Sequence, residues 1–209
     1  SHIIYPPIFM VLSLIPLYFF VKIIFDKKIA LLSVLILSVL PSYIFRTMSG
    51  FSDHESISMF FIFSALYFLA RAEKLKSNKK YIYTSLGAIF TFLMAITWGA
   101  YPFLFIIIGT YYLLSLFFTK FDFKNYLIFL LTLLVPFILI KGINLNDFGF
   151  LFLILISTIV LINEKINFEK RIKIPNIISV LVIVGMVSLI LVFISDSLSV
   201  SSIINKLMN

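Results

Sequence analysis

Long apolar runs follow one another down the chain, separated by short polar clusters, and within the runs the apolar positions are continuous instead of alternating. Crossing a hydrocarbon core takes about 17 to 25 helical residues. On that scale the pattern predicts about eight membrane segments. They are Ile3 to Phe25, Ile29 to Phe45, Ser56 to Ala70, Tyr81 to Thr97, Pro102 to Phe118, Tyr126 to Ile140, Phe148 to Ile162 and Ile177 to Ile194. Several are short for a full crossing. Helix is required, because backbone groups in lipid have no water to bond. The absence of alternation disfavours a β-barrel.

Punctuation agrees with this reading. No Asp, Glu, Lys or Arg lies between Lys80 and Lys120, which leaves 39 uncharged residues, enough for two crossings and a tight turn. Pro6, Pro7, Pro102 and Pro175 sit near predicted helix starts, where a missing amide matters little. Pro16 and Pro136 fall inside apolar runs and are expected kinks. The expected fold is an all-α polytopic membrane protein.

Composition sharpens the class. Hydrophobic residues make up 62% of the 209 and charged residues 12%, whereas a soluble domain carries about 25% charged residues. The net charge of +8 does not point to nucleic acid, because the bases are divided among several loops and form no stripe. No cysteine is present, which excludes cysteine chemistry.

The division of the bases orients the chain by the positive-inside rule. Fourteen of the seventeen lie in one alternating set of loops: Lys22, Lys27 and Lys28; Arg71 to Lys80; Lys120 and Lys124; Lys165 to Lys173. Arg46, Lys141 and Lys206 fall in the other. Four loops are therefore expected to face the cytoplasm and three the outer side, with both chain ends outside. Orientation and contact with anionic headgroups account for the clusters. The chain begins at Ser1 with an apolar helix close behind and no basic leader region, so processing or membership in a longer protein is expected.

One outer loop is unusually polar: Arg46-Thr47-Met48-Ser49-Gly50-Phe51-Ser52-Asp53-His54-Glu55. Charges beside hydrocarbon need pairing, water or a metal. Ser52-x-x-Glu55 has the form of a capping box, with Ser52 as N-cap and Glu55 at N3. Asp53 and Glu55 would also suit the positive end of that helix, and Arg46 can neutralise either. The same geometry admits chemistry. Two carboxylates at a loop-to-helix junction suit a hard divalent cation such as Mn²⁺ or Mg²⁺, and the Arg46 fork suits phosphate or carboxylate. His54 can ligate a softer metal or face headgroups. A second outer turn, Thr97-Trp98-Gly99-Ala100-Tyr101-Pro102, offers Trp98 and Tyr101 as interfacial anchors or as walls of a lipid-substrate cavity.

These residues resemble the oligosaccharyltransferase catalytic subunits, archaeal ones especially. Pro41-Ser42-Tyr43-Ile44-Phe45-Arg46 followed by Gly50-Phe51-Ser52-Asp53-His54-Glu55 is similar to the family's second acidic motif, an Asp-x-Asp or Asp-x-Glu with an arginine seven residues before it. Trp98-Gly99-Ala100-Tyr101 resembles its tryptophan-glycine turn, with Ala100 where a glycine is frequent. The helix order fits along essentially the whole chain.

The resemblance implies a multi-pass glycosyltransferase (GT-C-like) membrane domain. Its activity would be transfer of an oligosaccharide from a polyprenyl (dolichyl) phosphate or pyrophosphate to asparagine in Asn-x-Ser/Thr, with inversion, on the outer membrane face, using Mn²⁺ or Mg²⁺. It implies Arg46, Asp53 and Glu55 as catalytic residues, Asp53 and Glu55 as metal ligands, and a lipid-linked donor, an acceptor polypeptide and membrane lipid as partners. The family's earlier aspartate loop and its soluble Trp-Trp-Asp-Tyr-Gly domain have no counterpart here, and Asp147 and Asp196 match no motif. Residues 1–209 are therefore expected to be a partial catalytic membrane domain, inactive alone. Two alternatives stand beside this: another polyprenyl-phosphate-sugar glycosyltransferase, and a transporter or flippase, against which no inverted repeat is evident.

Overall fold

The computed structural model describes residues 4–48, 54–118, 121–142 and 147–166. Every element among them is helical: α1 Tyr5–Ile24, α2 Lys27–Val39, α3 Pro41–Thr47, α4 Glu55–Lys74, α5 Lys79–Thr97, α6 Tyr101–Phe118, α7 Phe123–Lys141 and α8 Phe148–Ile166. The predicted segment Ile177 to Ile194, together with Pro175 and Asp196, lies outside the described residues.

Local chemistry sets the helix starts. The side chains of Asp26, Asp122 and Asp147 accept from the backbone N–H groups of Ile29, Asn125 and Phe150 at 2.8, 3.0 and 3.1 Å, each satisfying a donor the helix cannot. α1 and α7 run through Pro16 and Pro136. Pro41 breaks the chain instead. Leu40 is extended (φ −69°, ψ 119°), as a residue preceding proline prefers, and α2 and α3 meet at 63°. The single segment expected from Ile29 to Phe45 is thus two helices, because the apolar run continues across a residue the backbone does not continue through.

This break also bears on the number of crossings. Among the described residues four helices, α1, α4, α5 and α7, are long and apolar enough to cross a membrane, or five if the bent α2–α3 pair is one span. That is fewer than the eight expected. The apolar stretches Tyr101–Leu116 and Phe148–Val160 are shorter.

Cross-helix contacts fix the helix directions. Ring pairs Phe9–Phe60 and Phe19–Tyr67, both at 5.8 Å, make α1 and α4 parallel. Phe60–Phe90 at 6.0 Å and Phe68–Tyr83 at 6.0 Å make α4 and α5 antiparallel. Thr84 Oγ1 donates to Asn125 Oδ1 at 2.6 Å, and Lys80 pairs with Asp122, so α5 and α7 are parallel. Tyr101 packs on Phe137 (5.8 Å) and Phe137 stacks on Phe150 (5.6 Å), so α7 runs opposite to α6 and α8. With α2–α3 taken together, consecutive helices alternate in direction.

Small residues let these helices approach. Ala65, Ala72, Ala88 and Ala95 are buried. A Cβ added at Gly87 would stand 2.7 Å from Leu69 Cγ, and one at Gly149 would stand 2.6 Å from Pro102 Cα. Close backbone approach over small residues, with hydroxyls bonding across helices, is how helices associate where lipid gives no hydrophobic drive. Tyr126 Oη and Ser157 Oγ, both buried, are 2.7 Å apart in such a bond. Large apolar side chains such as Val11, Leu35, Val39 and Leu139 point outward.

The chain divides into two compact units, residues 1–110 with 122–158, and 111–121 with 159–209. All the cross-helix contacts above belong to the first. In the second, the Tyr111 and Tyr112 rings are 5.4 Å apart and Ser115 Oγ donates to the Tyr112 carbonyl at 2.7 Å.

Candidate functional site

Alternating directions place the turns of the first unit at two ends. The end holding the starts of α1, α4, α6 and α8 and the finishes of α3, α5 and α7 carries Arg46 and Lys141 as its described bases. The other carries Lys22, Lys27, Lys28, Arg71, Lys74, Lys76, Lys79, Lys80 and Lys124. Candidate residues gather at the charge-poor end.

There Arg46, in the last turn of α3, donates through Nη1 to Glu55 Oε1 at 3.0 Å. The guanidinium is half exposed (50%) and the carboxylate more enclosed (17%). Glu55 is the first residue of α4 and His54 is its N-cap, without a side-chain cap bond. The described part of this helix begins at Glu55, whose carboxylate is turned to Arg46; Ser52, the N-cap expected of a capping box, lies outside the described residues. Ser58 ties the junction, its Oγ donating to the His54 carbonyl at 2.7 Å. Glu55 also sits in the first turn of α4, a favourable place for an anion.

α3 holds Arg46 in place. Its seven residues close with Thr47 Oγ1 donating to the Tyr43 carbonyl at 2.6 Å. Tyr43 is buried, and its hydroxyl donates to the Met10 carbonyl of α1 at 3.1 Å while touching Ser13 Oγ, which donates to the same carbonyl at 2.7 Å. Sequence reasoning missed this contact; only the position of Tyr43 one turn before Arg46 hinted at it.

Trp98 and Tyr101 lie at the same end. Trp98 closes α5 in extended conformation, its N–H donating to the Met94 carbonyl at 3.0 Å. Tyr101 is buried against Phe105 (5.2 Å) and Phe137 (5.8 Å), with Lys141 Nζ 3.9 Å above its ring. Tyr101 is thus packed into the α6–α7 contact, and Lys141, which sequence reasoning treated only as an orienting charge, covers it. Asp147, matched to no motif, caps α8. Asp53, the foremost metal-ligand candidate, lies with Ser52 and Gly50 outside the described residues.

The donor set can be tested against a divalent ion. Among the described residues there is no group of three or more His, Cys, Asp or Glu side chains able to hold a metal. Glu55 is already engaged by a guanidinium, and a hard cation takes about six or more oxygens. The described residues do not make up a metal site.

Comparison with known proteins bears on what this end does. The family described as "Oligosaccharyl transferase STT3, N-terminal" matches residues 2–208. The dolichyl-diphosphooligosaccharide–protein glycosyltransferase subunit STT3A of Oryza sativa subsp. japonica is 29% identical over 119 residues, 54% of this chain and 15% of the relative. Subunit STT3 of Saccharomyces cerevisiae is 28% identical over 102 residues, 49% of this chain and 14% of the relative. Two solved structures share the fold. The oligosaccharyltransferase of Archaeoglobus fulgidus in complex with Zn and sulfate superposes with a TM-score of 0.69 at 21% identity, over 92% of this chain and 28% of that one. The oligosaccharyltransferase AglB of the same organism, with an inhibitory peptide and a dolichol-phosphate, gives 0.67 at 22% identity, over 92% and 26%. The chain spans about one seventh of the length of these curated relatives.

Proposed function

This chain belongs to the oligosaccharyl transferase STT3 family, and from that premise we propose that it forms part of an enzyme that transfers an oligosaccharide from a polyprenyl or dolichyl phosphate or pyrophosphate to asparagine in Asn-x-Ser/Thr. The observation that carries this reading is the 3.0 Å pairing of Arg46 with Glu55 at the end of the helices where bases are scarce. A charge pair at a helix rim has bland uses, but the arginine-to-acid spacing, with the family match, supports a specific one. One of the archaeal relatives holds a dolichol-phosphate and an inhibitory peptide, which supports a lipid-linked donor and a peptide acceptor.

In this proposal the charge-poor end faces the outside, both chain ends with it, and the segments number about eight, as the alternation of charge clusters implies. Asp53 and Glu55 contribute carboxylates toward a divalent ion, Mn²⁺ or Mg²⁺, whose remaining donors lie beyond the described residues. Arg46 fixes the Glu55 carboxylate, and Trp98 lines the donor's approach, while Tyr101, buried against Phe105 and Phe137, backs that rim from within the α6–α7 contact. The helices hold the polyprenyl tail laterally while the rim keeps glycan and asparagine in register, which removes much of the entropic cost of their meeting. The asparagine nitrogen bonds to the anomeric carbon as the carbon–oxygen bond to the lipid phosphate breaks, and the nitrogen's proton is released.

The test is transfer by the full-length protein, with a lipid-linked oligosaccharide and an Asn-x-Ser/Thr peptide. Asp53→Ala should abolish transfer without preventing membrane insertion. Undiminished transfer by that variant at limiting Mn²⁺ would remove Asp53 from its role. Transfer from a lipid monophosphate to serine or threonine would replace this reading with another glycosyltransferase.

A further inference from the structure

We propose that Tyr43, with Ser13, is a positioning latch that holds Arg46 in register with Glu55, so that the hydroxyl of a buried tyrosine on α3 acts on transfer through the arginine one turn beyond it. The inference rests on the reading of Arg46 and Glu55 given above for its effect on catalysis, but its geometry is independent of that reading.

α3 cannot orient itself. At seven residues it is shorter than the roughly 12 to 15 that an isolated helix needs to persist. The 63° bend after Leu40 means that the α2 rod does not set its direction either. Its placement must come from contacts, and the Tyr43 hydroxyl supplies one: it donates to the Met10 carbonyl at 3.1 Å and shares that acceptor with Ser13 Oγ. α1 is itself keyed to α4 by Phe9–Phe60 and Phe19–Tyr67. A closed circuit results, from α1 through Tyr43 to α3, through Arg46 to Glu55, and along α4 back to α1.

Within α3 the spacing transmits this hold. Arg46 is three residues after Tyr43, a neighbour on the helix surface, and Thr47 bonds back to the Tyr43 carbonyl at 2.6 Å. The residue tied to α1 thus also closes the turn that carries the guanidinium. Burial alone would be met by phenylalanine. A phenol placed there needs a partner for its hydroxyl, and in this orientation of α3 it has the Met10 carbonyl and Ser13.

Tyr43→Phe in the full-length enzyme isolates the hydroxyl. Ser13 keeps the Met10 carbonyl at 2.7 Å, so the substitution leaves that buried hydroxyl partnered. kcat for transfer should fall by about ten- to a hundredfold, the scale of a misplaced catalytic group, with KM for donor and peptide unchanged. Amide hydrogen exchange should quicken across residues 41–48 and stay as in the wild type across 55–97. In an Arg46→Lys background, Tyr43→Phe should produce little further loss, because the group it positions is already altered.

Wild-type kcat in Tyr43→Phe, a loss that multiplies in full with that of Arg46→Lys, or faster exchange through 55–97 as well would overturn the latch. If Asp53→Ala transfers normally, the functional reading fails, and exchange over 41–48 alone decides the latch. If Asp53→Ala is dead while Tyr43→Phe is unaffected, the latch falls and the functional reading stands.

Discussion

Arg46 and Glu55 are nine residues apart in sequence, yet their side chains meet at 3.0 Å, joining the last turn of one helix to the first residue of the next. With the guanidinium half in solvent, such a pair is worth about 1 kcal/mol or less. Stability therefore weighs little in this pair, and under the proposed function its use is to place the carboxylate.

That difference in scale gives the first prediction. Glu55→Gln and Arg46→Gln in the full-length enzyme should each lower transfer by about a hundredfold, while thermal midpoints in detergent move little. Arg46→Lys should behave nearly as badly, since an ammonium lacks the planar fork. A fall in thermal midpoint that tracks the loss of transfer would mark the pair as structural.

Gly149 permits α8 to start against α6. A Cβ there would stand 2.6 Å from the Pro102 backbone, which cannot rotate away, whereas one at Gly99 would meet nothing within 4 Å. Gly149→Ala should destabilise by about 1–3 kcal/mol through overpacking, and Gly99→Ala should be neutral in the same unfolding measurement. Equal effects would contradict this packing.

A polar seam joins α5 to α7. Thr84→Val removes the hydroxyl that bonds Asn125, whose amide is buried. Cross-helix bonds of this kind contribute about 0.6 kcal/mol on average in membranes. A small but measurable loss of that order in resistance to denaturation is expected, and Thr84→Ser should restore most of it.

At the far end of that seam Asp122 pairs with Lys80. Burial pushes the Asp122 carboxyl upward, but the Lys80 hydrogen bond, the Asn125 amide and the ammonium charge together hold it below the ordinary aspartate value. A carboxyl lowered on folding adds stability that is present in full above its unfolded value and is lost as the pH falls through the folded one. Wild-type stability should therefore decline at pH beneath about 4 more steeply than that of Asp122→Asn. Because Asp122 is over a third exposed, solvent screens the effect and the difference should be modest. Parallel pH profiles would contradict the assignment.

How much of this was legible in the residues depends on what each feature needed. Alternating helix directions and the sorting of bases to one end follow from crossing geometry, which repeats, so spacing alone conveys them. The break at Pro41 was written in the chain but masked by an apolar run that continues past it. At the start of α4 the residues offered Glu55 two uses, a capping box with Ser52 and a pairing with Arg46, and only the fold shows the carboxylate on Arg46. The contact of Tyr43 with Met10 and Ser13 spans 33 and 30 residues. It depends on the rotation and depth of two helices, and no short motif encodes these. Tyr101, picked as a cavity wall, is buried under Lys141 because α7 ends beside the start of α6.

Sidedness decides whether the Arg46–Glu55 rim can meet a lipid-linked glycan outside the cell. These 209 residues contain no cysteine, so single reporters can be placed within them in the full-length protein. His54→Cys should react with a membrane-impermeant maleimide in intact cells, and Lys76→Cys should react only after the membrane is opened. Labelling of position 76 in intact cells, with position 54 protected until permeabilisation, would contradict the account.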